Sequence, residues 1–440
     1  MKPTLLLACL AALMPPLPAI AQTAPTAAPE SNSPAHQRAE QVAPLLAGDI
    51  AYADFFAPDF QAAVPEPQFD QLRNSLIATY GKPVAVQMIE PRSDNTVTAI
   101  LRFERADAMI IVQADPAPPH AVTGLRITGV TPHMASADAA LDAIDALPGS
   151  TGYLFARLGA NGPDVIRANN ADAALGVGSS FKLLILAELV RATNAGERSW
   201  DDIVTLDGSE LPGGKWAQSP AGTQVSVAEL ARGMISVSDN SATDILLHYL
   251  GRERVEAMME VVGWRHADAN RPLLATLELF KLKGVDDGAL GDRWVAGDSD
   301  ARRALLAGPV AQAPISTIAP DLFADGKPVR IDTIEYFASP ADLMRTMNWL
   351  RIHSADNAAA REILSINPGV FAGAAAQWDY IGYKGGSEPG VMNMTLLLQA
   401  KNGDWYAFSA SWNDTDAAID EMGFAGLVSR FVELAPDSEF

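Results

Sequence analysis

Of 440 residues only one is cysteine, Cys9, and it falls in the apolar run of an N-terminal segment that reads as a cleaved signal. Disulfides, cysteine nucleophiles and cysteine-based metal sites are therefore excluded together in the mature chain. Histidine is sparse as well: six residues are scattered without an H-E-x-x-H pair, which argues against a zinc enzyme and calls for no metal or other cofactor. Positive charge is short. Against 53 Asp+Glu there are 32 Lys+Arg, a net charge of −21, which argues against a nucleic-acid partner or an anionic membrane surface. No apolar run in the mature chain is long enough to span a membrane. A G-x-S-x-G elbow is also missing, which disfavours an α/β-hydrolase, and there is no internal repeat.

What remains is a chain that is 48% hydrophobic, enough for two or three cores. Lys2, the apolar stretch 5–13 and Ala19-Ile20-Ala21 before Gln22 predict a signal peptide over 1–21, hence a periplasmic or secreted protein. A lipoprotein box at Leu6-Leu7-Ala8-Cys9 is the competing reading, and it leaves too little sequence for a signal. Residues 22–35, rich in Ala, Pro, Thr and Ser, predict a disordered linker. A small α+β domain is predicted over 36–132, with helices at 36–50 and 66–80 and then strands at 84–89, 96–104, 108–114 and 125–130. Its pattern resembles the ketosteroid-isomerase and cystatin types. Asp54, Asp59 and Glu90 read as solvated surface, so a structural or substrate-shaping role is expected of this domain.

The second domain is predicted over 133–440. A helix at 135–147 leads into strands at 151–158 and 164–169, joined by a hairpin turn. A helix starting at Ser179 follows, then helices at 227–237, 242–250, 252–262 and 340–352, strands at 380–383, 391–399 and 404–412 and a last helix at 417–434. This order implies α+β architecture, with one antiparallel sheet assembled from both ends of the domain around a helical block. Tyr406, Phe408, Ala410 and Trp412 alternate with smaller residues, which predicts a sheet with one buried face.

Three short motifs carry chemistry. Ser179 stands after glycine and before an apolar run, where a helix N-cap belongs, and Lys182 follows one turn later on the same face. Leu183, Leu184, Ile185, Leu186, Leu189 and Val190 leave that helix without a polar stripe, so it is expected at the centre of the domain. A hydroxyl, an amine and free backbone N–H groups then meet at one helix start, the parts of an activated nucleophile. Ser238-Asp239-Asn240 falls between two helices, and Tyr383-Lys384-Gly385-Gly386-Ser387 ends a strand. Taken singly, these are also a capped helix start, a capped turn and a hairpin with a snorkelling lysine.

S-x-x-K, S-D-N and K-x-G in this order resemble the class A β-lactamases and the penicillin-binding serine hydrolases. The similarity covers roughly 135–440, and the two-domain layout of the mature chain is most similar to the β-lactamase-like serine hydrolase of clavulanic-acid biosynthesis. The resemblance implies a β-lactamase/transpeptidase-like fold and an acyl-enzyme mechanism. It makes Ser179 the nucleophile, Lys182 its base and Ser238 a proton relay. Asn240, Lys384, Gly386 and Ser387 would bind substrate, with the Ser179 and Ser387 amides as oxyanion hole and Asp239 bracing its loop.

Two departures accompany the resemblance. Gly385 lacks the hydroxyl usual at that place, for which Ser387 is a partial substitute, and the loop 270–278 has no acid where the class A enzymes carry their deacylating glutamate. Glu278 nearby reads as the polar face of a short helix. The stretch 284–322 adds length and reads as an elaborated rim on the pocket. The expected substrate is a small molecule: a β-lactam, a related ester or a peptidoglycan-like peptide. The alternatives are a D,D-peptidase or esterase, and a slowly acylated binding protein that lacks efficient deacylation. Oligomeric state has no sequence signal.

Overall fold

A computed structural model describes residues 33–160 and 162–438. The expected signal peptide and almost all of the expected linker lie outside these residues. The chain divides into two compact units: one runs to Ala139 and includes Met422–Arg430, and the other is Ala140–Glu421 with the residues from Phe431 on.

In the first unit, five helices precede a four-stranded antiparallel meander of Pro83–Ser93, Thr96–Phe103, Ala106–Ala114 and Val122–Pro132. Strict alternation puts Val97, Ala99, Leu101 and Phe103, with Ala106, Ala108, Ile110 and Val112, on one wholly buried face. Phe55, Phe56 and Phe69 from the helices close the core. The single helix expected over 36–50 is two, Pro34–Glu40 and Val42–Ala47. The break places Pro44 in a first turn, where its missing N–H leaves no helical hydrogen bond unmade.

The second unit is built on a five-stranded antiparallel sheet, in the order Trp378–Glu388, Val391–Ala400, Trp405–Asn413, Ser150–Gly159, Gly162–Asn169. Strands from both ends of the domain thus share one sheet, as their order in the chain requires. Both faces of Trp405–Asn413 are covered, not one: Phe408 packs at 4.3 Å from the Phe431 ring, while Ala407 on the other face joins the core of the helical block. Small Ala and Ser residues at alternate positions let helices approach the second face closely. At the centre of the block lies Lys182–Asn194, with Leu183, Leu184, Ile185, Leu186, Ala187, Leu189 and Val190 fully buried.

The added stretch is more than a rim. It folds as helices Ala289–Ala296 and Ser299–Leu305, and Trp294, Leu305, Leu306 and Val310 enter the core. A two-stranded ribbon absent from the sequence reading, Leu175–Gly176 paired with Phe337–Ala338, delivers the chain to Ser179.

Candidate active site

Ser179 is not an N-cap. It lies inside a 3-10 turn, Gly178–Phe181, and the α-helix begins at Lys182 without a side-chain cap. Gly178, at φ 49°, makes the bend into this turn, a conformation open to glycine at little cost. Behind the turn, Phe181 stacks on Tyr336 with ring centres 3.6 Å apart. The Ser180 hydroxyl donates at 2.6 Å to Asn393 Oδ1, and Asn393 in turn bonds Ser411 and the Ala410 carbonyl. Ser180, Asn393, Thr395, Ser409 and Ser411 are all fully buried. This polar network pins the turn to the sheet; its only sequence signal was an asparagine and a threonine within an apolar strand.

Lys182 is fully buried and spends its donors on the second motif: Ser238 O at 2.7 Å, Ser238 Oγ at 3.1 Å and Asn240 Oδ1 at 2.7 Å. Burial pushes its amine down to about 7, against the opposing pull of the Asp244 and Asp239 charges. From the other side Lys384 donates to the same Ser238 Oγ at 3.0 Å and to the Gly385 carbonyl at 2.5 Å. Its pKa is also pushed well down, by burial and then by the charge of Lys182. The Ser179 hydroxyl, half-buried, has no hydrogen-bond partner among the described residues.

Ser238 sits at φ 59°, uncommon for a residue with a side chain. Asp239 holds it there. Its carboxylate accepts from the Lys215 amide at 2.6 Å, the Ser241 hydroxyl at 2.6 Å and the Ala242 amide at 2.8 Å, capping the helix Asn240–Leu250.

Strand Trp378–Glu388 lies against the serine turn so closely that only glycine fits at two points. A Cβ on Gly386 would stand 2.3 Å from the Ser179 nitrogen, and one on Gly178 would stand 2.9 Å from the Ser387 nitrogen. The two expected oxyanion donors therefore come from segments in direct contact. At Gly385 a Cβ would meet the Tyr383 hydroxyl at 2.0 Å. The phenol thus fills the space of the missing motif side chain. Burial and the Glu421 charge push it up to about 12, so it remains a hydroxyl at neutral pH. Tyr383 was adjacent to the motif in sequence, but only strand alternation pointed to its sharing a face with Gly385.

Glu278 lies in the helix Thr276–Gly284, where it makes a double ion pair with Arg252 at 2.7 and 2.9 Å and accepts from the Ala275 amide. Asp244, one turn after Asn240, is buried and accepts from the Thr276 and Leu277 amides at 2.7 and 2.9 Å. Both acids anchor the loop. Among the described residues no carboxylate is hydrogen-bonded to Lys182, Ser238, Asn240 or Lys384, and no cluster suited to a metal ion occurs. A cavity of about 450 Å³ opens behind Asp244, between Leu206, His248, Leu277 and Lys281, but Ser179, Lys182, Ser238 and Lys384 do not line it.

Comparison with solved structures finds a β-lactamase from Sphaerobacter thermophilus at 18% identity, covering 69% of this chain and 97% of that one with a TM-score of 0.47. PBP-A matches at 15% identity over 68% of this chain and 95% of that one, TM-score 0.47. A β-lactamase from Desulfarculus baarsii matches at 19% over 69% and 98%, TM-score 0.47. No curated protein sequence matches. The family model described as the β-lactamase enzyme family matches residues 137–364, just over half of the chain. That span takes in Ser179, Lys182, Ser238 and Asn240, four of the residues assembled above, and on this match the chain belongs to the β-lactamase enzyme family.

Proposed function

We propose that the protein is a serine hydrolase that forms an acyl-enzyme at Ser179, on a β-lactam or a related ester. The observation that carries this reading is the Ser238 hydroxyl held between two buried lysines of lowered pKa, of which Lys182 follows Ser179 by one turn. With a pKa of about 7, Lys182 is a free amine often enough at neutral pH to take the Ser179 proton as Oγ bonds to the carbonyl carbon. The oxyanion is received by the Ser179 and Ser387 amides. As the intermediate collapses, the carbon–nitrogen bond breaks and Ser238 passes the proton on to the leaving nitrogen. Asn240 Oδ1 is engaged by Lys182, which leaves its amide N–H₂ for the substrate. Lys384, Gly386, Ser387 and the Tyr383 hydroxyl face a substrate carboxylate.

The second reading, a protein acylated but slow to release its acyl group, is favoured by one observation: Asp244 and Glu278 are both committed to anchoring the loop. The first unit is of the ketosteroid-isomerase or cystatin type and has a structural or substrate-shaping role rather than a chemistry of its own. The chain is exported to the periplasm or secreted, and its two-domain kinship is with the clavulanic-acid type of serine hydrolase.

Steady-state and burst kinetics with a chromogenic cephalosporin, a penicillin and an aryl ester test this reading. A burst of one product per enzyme followed by slower turnover is expected with at least one of them. Absence of both phases with all three rules it out.

A further inference from the structure

Three charged side chains lie buried where the two walls of the site meet, and the reaction above leaves them unused. Lys283, in the helix Thr276–Gly284, has a side chain with no exposure; its Nζ donates to Glu388 and stands 3.6 Å from Glu335 Oε2. The Glu335 side chain is 1% exposed and that of Glu388 11%. Two acids against one lysine is an unbalanced charge to bury, unless the acids hold a proton between them. The Glu388 carboxyl is pushed well above the carboxylate range, first by burial and then by the charge of Glu335 beside it. Glu335 Oε2 is buried and has no hydrogen-bond partner among the described residues. With that proton in place the cluster is neutral and its geometry fixed.

Its attachments give it a role. Glu388 directly follows Ser387 on its strand. Glu335 packs against Gly176, where a Cβ would stand 2.9 Å from its Cγ, and the neighbouring Tyr336 carbonyl accepts from the Val177 amide at 2.9 Å. Gly176 is also gripped by Asn413 through both its N–H and its C=O. One acid therefore holds the segment that leads to the Ser179 amide, the other the strand that carries the Ser387 amide, and Lys283 joins them.

We propose that Lys283, Glu335 and Glu388 form a buried clamp that sets the separation of the Ser179 and Ser387 amides, making all three positioning residues for acylation; this rests on the acyl-enzyme reading above. Oxyanion donors act only within a few tenths of an ångström of the right place, so a slack clamp lowers the rate constant of acylation and leaves substrate binding intact.

The test compares Glu388→Gln, Glu388→Asp and Lys283→Met in the full chain. Burst rate constants with a chromogenic cephalosporin and labelling rates with a fluorophosphonate are measured on each. Glu388→Gln keeps the hydrogen bond and the charge balance, and is expected to stay within about twofold of wild type. Glu388→Asp, short by one methylene, and Lys283→Met are expected to slow both reactions roughly tenfold or more at unchanged cephalosporin Kd. A loss of stability alone lowers burst amplitude, not its rate constant. Amide exchange, which needs no chemistry, is expected to rise together in peptides 176–181 and 384–390 of Glu388→Asp. Unchanged rates in Glu388→Asp, or unchanged exchange in both peptides, overturns the clamp. A wild type that reacts with neither probe counts against Ser179 as nucleophile, and the exchange result still decides the clamp.

Discussion

Lys182 and Lys384 converge on a single oxygen, the Ser238 hydroxyl, from 3.1 and 3.0 Å. Both amines are out of water, which lowers the hold of each on its proton, and at Lys384 the charge of Lys182 adds to the effect. The serine bridges them in either state, as acceptor from an ammonium or as donor to a free amine. Removing that bridge in Ser238→Ala leaves Lys182 its backbone partner and Asn240. Its acylation rate constant is expected to fall by roughly 10²-fold, the usual worth of a positioned proton relay, with substrate Kd unchanged. A pre-steady-state burst measures both, and an unchanged rate constant removes Ser238 from proton transfer.

The pH profile follows from Lys182. Its pKa of about 7 in the folded protein lies well below the ordinary lysine value, so the free amine grows in as pH rises through 7 and is lost as pH falls. Acylation is expected to rise with pH across this range, by roughly tenfold per unit on the acid side. Burst rates from pH 5.5 to 8.5 check it; a flat profile would mean that Lys182 is not the base.

Glycine at 386 is a steric requirement. A Cβ there would meet the Ser179 nitrogen at 2.3 Å and the Val177 carbonyl oxygen at 2.1 Å, both backbone atoms. Gly386→Ala is expected to cost about 1–3 kcal/mol of stability through overpacking and to cut acylation sharply by parting the strand from the serine turn. Denaturant titration and burst kinetics read the two effects separately. At Gly385 the obstacle is the end of a side chain, Tyr383 Oη at 2.0 Å. Gly385→Thr should therefore be harmful alone and recover in the background of Tyr383→Ala, a coupling that a double-mutant cycle measures.

Asp239 joins stability to function. Its three accepted hydrogen bonds cap a helix and hold Ser238 at positive φ. Asp239→Ala is expected to destabilise by about 1–2 kcal/mol, the worth of an N-cap, and to lower acylation as well. Thermal unfolding and burst kinetics in one preparation test this; loss of stability with undiminished acylation would separate Asp239 from the site.

Much of this was legible in the sequence because the signals were local and strongly periodic. The helix Arg252–Val262, the strand Val391–Ala400 and the central burial of Lys182–Asn194 follow from apolar pattern and caps. That Ser238, Lys182 and Lys384 share one site was implied by the family resemblance of their motifs. The position of Ser179 was misjudged because an N-cap and a 3-10 turn have the same local composition, and the turn is held by Asn393 and Tyr336, far away in sequence. For the same reason the Lys283, Glu335 and Glu388 cluster had no signal: its members come from three separate segments, and charged residues read as surface until burial is known.

The most direct test of the account is intact-mass analysis of the full chain incubated with a β-lactam or an activated aryl ester, followed by peptide mapping of any adduct. The account predicts one acyl group per molecule on the peptide that contains Ser179, and none in Ser179→Ala. An adduct that persists in Ser179→Ala, or no adduct with any of these reagents, would contradict it.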